Sequence, residues 1–145
     1  VTFVGECTDV DQVAGIFQDY KPRGTTDLAK ALDTAMEEYA GRKRPDFAQI
    51  PGTTFIVILD GSTDDNDEVI RVIKKFADLK NGYIQNHTNL AVSFVQIGDD
   101  AGATQFLQFL DDGMGEPDIV DSKGAALLFT PGGDDKLLMD AIFDC

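Results

Sequence analysis

Cationic side chains are scarce in this chain: 12 lysines and arginines face 26 aspartates and glutamates, for a formal net charge of −14. A surface of that sign repels phosphate backbones and anionic headgroups, which argues against nucleic acid and membrane surfaces as main partners. Apolar runs are short too. No window approaches the roughly eighteen uninterrupted apolar residues that direct membrane insertion needs. Cysteine is limited to Cys7 and Cys145, one near each end. Two cysteines define no disulfide framework, and their spacing fits no zinc pattern. They read as idle thiols, with a staple between the two ends as the alternative.

Histidine is represented once, by His87 in the polar stretch 81–89, which reads as a solvated loop. With one histidine and no nucleophile pattern beside it, a Ser/His or Cys/His hydrolase is not supported. Also missing is a phosphate-cradling glycine-rich loop with its lysine, and Lys21 and Arg23 are too few to replace one. Phosphoryl transfer is therefore disfavoured, and the chain does not read as an enzyme. It opens on Val1, with neither methionine nor signal peptide, which suggests a processed product or a fragment.

What is present suits one globular domain spanning 1–145. The chain is 43% hydrophobic and 26% charged, and long enough to bury a core. Its organising stretch is Phe55-Ile56-Val57-Ile58-Leu59 followed by Asp60-Gly61-Ser62-Thr63-Asp64-Asp65. A short apolar run bounded by turn residues predicts a central parallel strand buried on both faces. Asp60 then falls at the carboxyl end, where open α/β sheets bind ligands. A helix over about 67–79 follows, with Val69, Val72, Ile73 and Phe76 toward the sheet.

In chain order, 1–5 reads as a short strand. Thr8 or Asp9 caps a helix with Val10, Val13, Ile16 and Phe17 on one face. The loop 21–27 launches a helix over 27–40, with Leu28, Ala31, Leu32, Ala35 and Tyr39 as its apolar stripe. Gly41 ends it, and Arg42-Lys43-Arg44 complement its carboxyl terminus. Residues 90–98 form a second strand ending on Gly98-Asp99-Asp100. A helix over 102–110 presents Phe106, Leu107 and Leu110, residues 119–121 suggest a short strand, and 134–143 a closing helix. Alternating strands and helices predict a doubly wound, mostly parallel sheet with helices on both faces.

Three stretches together resemble the von Willebrand factor A family, in its intracellular fungal and bacterial form. They are Arg23-Gly24-Thr25-Thr26-Asp27-Leu28-Ala29-Lys30-Ala31-Leu32, Ile56-Val57-Ile58-Leu59-Asp60-Gly61, and Val92 to Asp100 with the following Phe106-Leu107 and Leu110-Asp111-Asp112. The resemblance implies a protein-interaction module in an intracellular setting, with a metal-ion-dependent adhesion site for magnesium. By resemblance, Thr26 supplies a second-loop hydroxyl and Asp60 a third-loop carboxylate. Magnesium takes oxygen ligands at about 2.0–2.1 Å and keeps several waters, so such a pair suits it. A partner's carboxylate would complete the shell.

The chain departs from the family in one respect: no Asp-x-Ser-x-Ser occurs in it. That motif follows the family's first strand, so the resemblance implies a sheet lacking that strand. The missing strand is then expected from upstream residues or a neighbouring subunit, because unpaired central backbone is unstable. The alternative function is a structural or scaffold subunit of a larger assembly with a degenerate, metal-free site. Asp60 and Thr26 would then be a turn residue and a helix cap. Asp64, Asp65 and Asp67 read as solvated helix-start carboxylates, since the glycine and glutamate of a calcium loop are absent.

Overall fold

The computed structural model describes residues 5–19, 27–39, 52–61, 63, 65–116 and 118–124. Helix α1 spans Val10–Asp19, α2 Leu28–Tyr39, α3 Asn66–Ala77 and α4 Ala101–Gln108. Strands β1, β2 and β3 are Thr53–Leu59, Leu90–Gln96 and Val120–Gly124. The expected strand at 1–5, the loop 21–26, the basic patch 42–44, the closing helix at 134–143 and Cys145 lie wholly or largely outside the described residues. Cys7 is an exposed free thiol.

The strands form a parallel sheet in the order β1-β2-β3. This is a mixed α/β arrangement of the Rossmann-like kind. The pairing expected between 55–59 and 91–97 is found, with Phe55 opposite Val92 and Val57 opposite Phe94. Each parallel pair needs a crossover, supplied by α3 between β1 and β2 and by α4 between β2 and β3.

In a ladder, paired residues share a face. Phe55, Val57 and Leu59 therefore lie with Val92 and Phe94 of β2 and with Val120 of β3. These side chains join one core with Val69, Val72, Ile73 and Phe76 of α3 and with Phe106 and Leu107 of α4. Both crossovers advance in the same direction, and right-handed connections of that kind put both helices on one face. The other face carries Ile56, Ile58, Ser93, Val95 and Asp121.

One expectation is corrected here. The apolar run at 55–59 predicts a strand with neighbours on both sides and burial on both faces. In the described sheet β2 takes that place, with Val92, Ser93 and Phe94 fully buried, whereas Ile56 is 44% and Ile58 53% exposed on β1. An apolar run records a capacity for burial; the number of neighbours depends on where the rest of the sheet assembles.

Helix α2 packs on α3, and its buried stripe is Leu28, Ala29, Leu32 and Met36. Ala31 and Ala35, predicted for that stripe, are half-buried flanks. Lys75 Nζ of α3 bridges Asp33 and Glu37 of α2, at 2.7 Å from each. Helix α1 begins as predicted, Asp9 Oδ1 accepting from Gln12 N–H at 2.9 Å. Its Val13 is nevertheless 43% exposed.

The polar stretch before β2 is more ordered than composition suggests. Two 3₁₀ turns, Leu79–Asn81 and His87–Asn89, bracket the buried Ile84. The side chain of buried Asn89 accepts from Gln85 N–H and Asn86 N–H at 3.0 and 3.1 Å. Nearby, a Cβ at Gly52 would stand 2.2 Å from the Thr88 carbonyl oxygen. Only glycine lets the entry to β1 pass that close.

Candidate functional site

Parallel strands direct all their carboxyl ends to one rim, and α3 starts on that rim because it follows β1 directly. The direction of α2 relative to α3 shows whether its start is there too. Asp27 and Lys30, at the beginning of α2, share a cleft of about 300 Å³ with Glu68 and Arg71 of early α3. Further along, Asp33 and Glu37 meet Lys75 of late α3. The two helices thus run parallel, and the start of α2 reaches the rim that carries Asp60. Thr26 itself lies outside the described residues; its neighbour Asp27 holds the helix-capping role, Oδ1 accepting from Lys30 N–H at 3.0 Å.

Several carboxylates gather on this rim, and their partners separate them into two kinds. Asp27 caps α2. Asp65 caps α3, its Oδ1 accepting from Glu68 N–H at 3.0 Å. Asp100 caps α4, its Oδ1 accepting from Ala103 N–H at 2.7 Å. These three satisfy backbone donors that a helix start leaves open. Asp67 is an exposed first-turn residue, in keeping with a solvated helix start. By contrast, the exposed side chains of Asp60 and Asp99 make no hydrogen bond or ion pair among the described residues.

The backbone beneath Asp60 and Asp99 is well held. Ile97 N–H donates to the Leu59 carbonyl at 2.7 Å, carrying the β1–β2 ladder up to Asp60. Gly98 then turns with φ of 90°, a left-handed conformation that favours glycine. A Cβ there would lie 3.9 Å from the Asp60 carbonyl oxygen. Beyond the turn, Gln96 Nε2 donates to the Asp100 carbonyl at 3.0 Å, and Thr104 Oγ1 donates to Gln96 Oε1 at 2.9 Å. The loop is pinned from below while Asp99 faces solvent. Beside it, between the ends of β2 and β3, a cleft of about 340 Å³ is lined by Gly98, Asp99, Thr104, Ser122 and Lys123.

Chemically, this rim offers carboxylate oxygens, hydroxyls and fixed negative charge. Thr63 adds a hydroxyl, donated to the Asn66 side chain. His87 lies at the opposite, amino-terminal end of the strands with Thr53 and Leu90, about 20 Å from Asp60 at the usual strand rise. It cannot serve a carboxylate there as acid or base. Among the described residues no group of three or more histidine, cysteine, aspartate or glutamate side chains could hold a metal ion. Asp60 can give magnesium one carboxylate, and the remaining ligands must come from elsewhere.

Two features were not legible in the sequence. Gln96 reads as the end of an apolar strand, yet it anchors the rim loop. The Lys75 cluster joins residues about forty positions apart: Tyr83 Oη donates to Glu37 Oε1 at 3.0 Å, and Lys75 Nζ stands 4.6 Å from the Phe76 ring centroid. The one available signal was the Asp33/Glu37 spacing, which puts two carboxylates on one face of α2.

The fold and rim define a mixed α/β protein with carboxylates gathered at the carboxyl ends of its parallel strands. Compared with family models, curated proteins and solved structures, the chain matches none. No described helix is long and apolar enough to cross a membrane.

Proposed function

We propose that the chain is a protein-interaction module of the von Willebrand factor A type, acting in an intracellular setting through its carboxyl-end rim. The observation that supports this reading is the state of Asp60. Its carboxylate is exposed at the end of a parallel strand, on a backbone held by the ladder, with no partner among the described residues. A carboxylate with no capping task, on a rim where Asp27, Asp65 and Asp100 each cap a helix, is available for a cation or a cationic partner. In this reading Asp60 and Thr26 are ligands of one magnesium ion, and the partner's own carboxylate completes the shell. Magnesium would supply the charge that lets two acidic surfaces meet.

Titration calorimetry of the chain with magnesium chloride, for the parent and Asp60→Asn, tests this. The expected result is at least about a tenfold loss of magnesium affinity with an unchanged melting temperature. Equal affinities would leave Asp60 a turn residue and remove the metal from the proposal.

A second reading, a metal-free scaffold subunit, has its own support. Ile56 and Ile58 are half exposed on a parallel strand, and parallel strands are ordinarily covered on both faces. In that case the sheet is completed by a strand from outside these residues, upstream or on a neighbouring subunit. The same titration separates the two readings, since the scaffold needs no magnesium.

A further inference from the structure

At the other end of the molecule, the last turn of α3 and the chain after it form a groove of about 540 Å³. Its apolar part consists of Ile73, Ala77, Leu79 and Met114. Leu79 is 44% exposed although it sits against this concave surface. The volume falls in the range of about 300–1,000 Å³ typical of sites for small organic ligands. Such sites combine an apolar body with a few placed polar groups, and the polar groups here are Lys74, Asp78, Lys80, His87 and Glu116.

The lysines set the ligand's charge. Among the described residues the other cations near carboxylates are used: Arg71 pairs with Glu68, Lys75 with Asp33 and Glu37, and Lys123 with Asp121. Among the same residues Lys74 and Lys80 make no ion pair, although Asp78 stands between them in sequence. The Asp78 carboxylate is committed to its own backbone turn, Oδ1 accepting from Lys80 N–H at 2.9 Å. Lys30, also without an ion pair among the described residues, lines the α2–α3 cleft rather than the groove.

The wall opposite α3 has an independent peculiarity. Phe109–Gly113 is a turn of π-helix, and the chain leaving it supplies Met114, Gly115 and Glu116 to the groove. Single π turns are rare and occur disproportionately at functional sites. This one is fixed to the sheet, since Ser122 N–H and Oγ both donate to Asp111 Oδ2 at 2.9 Å. It holds Met114, a side chain that adapts to irregular apolar shapes, against the groove. Glu116 at the groove disfavours a second negative charge on the ligand.

We infer that this groove is a binding site for a small amphipathic anion, with an aliphatic or aromatic body on Ile73, Ala77, Leu79 and Met114 and one anionic head at Lys74 and Lys80. It lies at the amino ends of the strands, away from Asp60, and does not rest on the rim reading. The test is fluorescence titration of the whole chain with 8-anilinonaphthalene-1-sulfonate, then displacement by decanoate, 1-decanol or acetate. Saturable binding is expected at one site, with displacement by decanoate and with 1-decanol and acetate each at least about tenfold weaker. Replacing both lysines, Lys74→Glu with Lys80→Glu, should weaken dye binding about tenfold or more. Lys30→Glu should leave it unchanged, and urea unfolding should stay cooperative in every variant. Dye uptake that does not saturate, that responds equally to Lys30→Glu, or that 1-decanol displaces as well as decanoate would overturn the assignment.

Discussion

Lys75 shows how one side chain can join two helices that propensity alone would leave independent. Its ammonium is bracketed by Asp33 and Glu37 and stands 4.6 and 5.5 Å from the ring centroids of Phe76 and Tyr83. Burial by itself would lower its pKa, but the two carboxylates outweigh that and raise it to about 12. The Lys75 ammonium in turn holds the Glu37 carboxyl below its ordinary value. Asp33 and Glu37 are 39% and 43% exposed, so solvent screens much of the attraction. Replacing Lys75 with Met should cost about 1–2 kcal/mol, chiefly by leaving two carboxylates facing each other without their cation. Urea denaturation at neutral pH measures it. A cost below about 0.3 kcal/mol would mean that apolar packing alone holds α2 on α3.

At the scale of elements, the rim aspartates make a discriminating set because they look alike in sequence and differ in task. Asp65 and Asp100 satisfy open backbone donors at the starts of α3 and α4. Changing either to Ala should lower stability by about 1 kcal/mol. Neither change should alter magnesium affinity, because each carboxylate is already engaged. Asp60→Asn should do the reverse, so calorimetry and urea midpoints on the three variants sort structural from functional carboxylates. Loss of magnesium binding in Asp100→Ala would show instead that the rim acts as a diffuse negative field. The element types themselves were largely legible. The spacing of Val69, Val72, Ile73 and Phe76 predicts α3 and its buried face, and all four are buried. The pattern at Leu28 predicts α2 but not its contact face, since Ala29 and Met36 are buried where Ala31 and Ala35 are not. Leu110 was expected to end a helix and instead lies in a π turn. That turn depends on the clasp between Asp111 and Ser122, eleven residues apart, which no local pattern encodes.

For the whole molecule, the Lys75 cluster sets limits on stability at both ends of the pH scale. Glu37 titrates lower in the folded chain than its ordinary 4.5. Its contribution is therefore present above that value and lost as pH falls through the lower folded one. Lys75 titrates higher, at about 12 against 10.5. Its contribution is complete below 10.5 and lost as pH rises toward 12. The stability difference between parent and Lys75→Met should therefore be largest near neutrality and shrink at both extremes. Urea midpoints at about pH 3.5, 7 and 11 check it. A difference that grows at alkaline pH would contradict the pairing.

Residue order alone determined that strands and helices alternate over the described residues, and hence the parallel pairing of 53–59 with 90–96. Periodicity and turn residues are local signals, and a parallel pair is what a strand–helix–strand sequence must make. It also placed Asp60 at a strand's carboxyl end. What only the tertiary structure decided is which strand of the described sheet has neighbours on both sides, and which carboxylates and lysines are paired among the described residues. Those depend on pairs far apart in the chain: Val92 with Val120, Asp33 with Lys75, Glu37 with Tyr83. Local pattern carries the capacity of each residue to bury or to bond. The folded arrangement alone assigns the partner, because a buried contact or ion pair exists only when both ends are brought within a few ångströms.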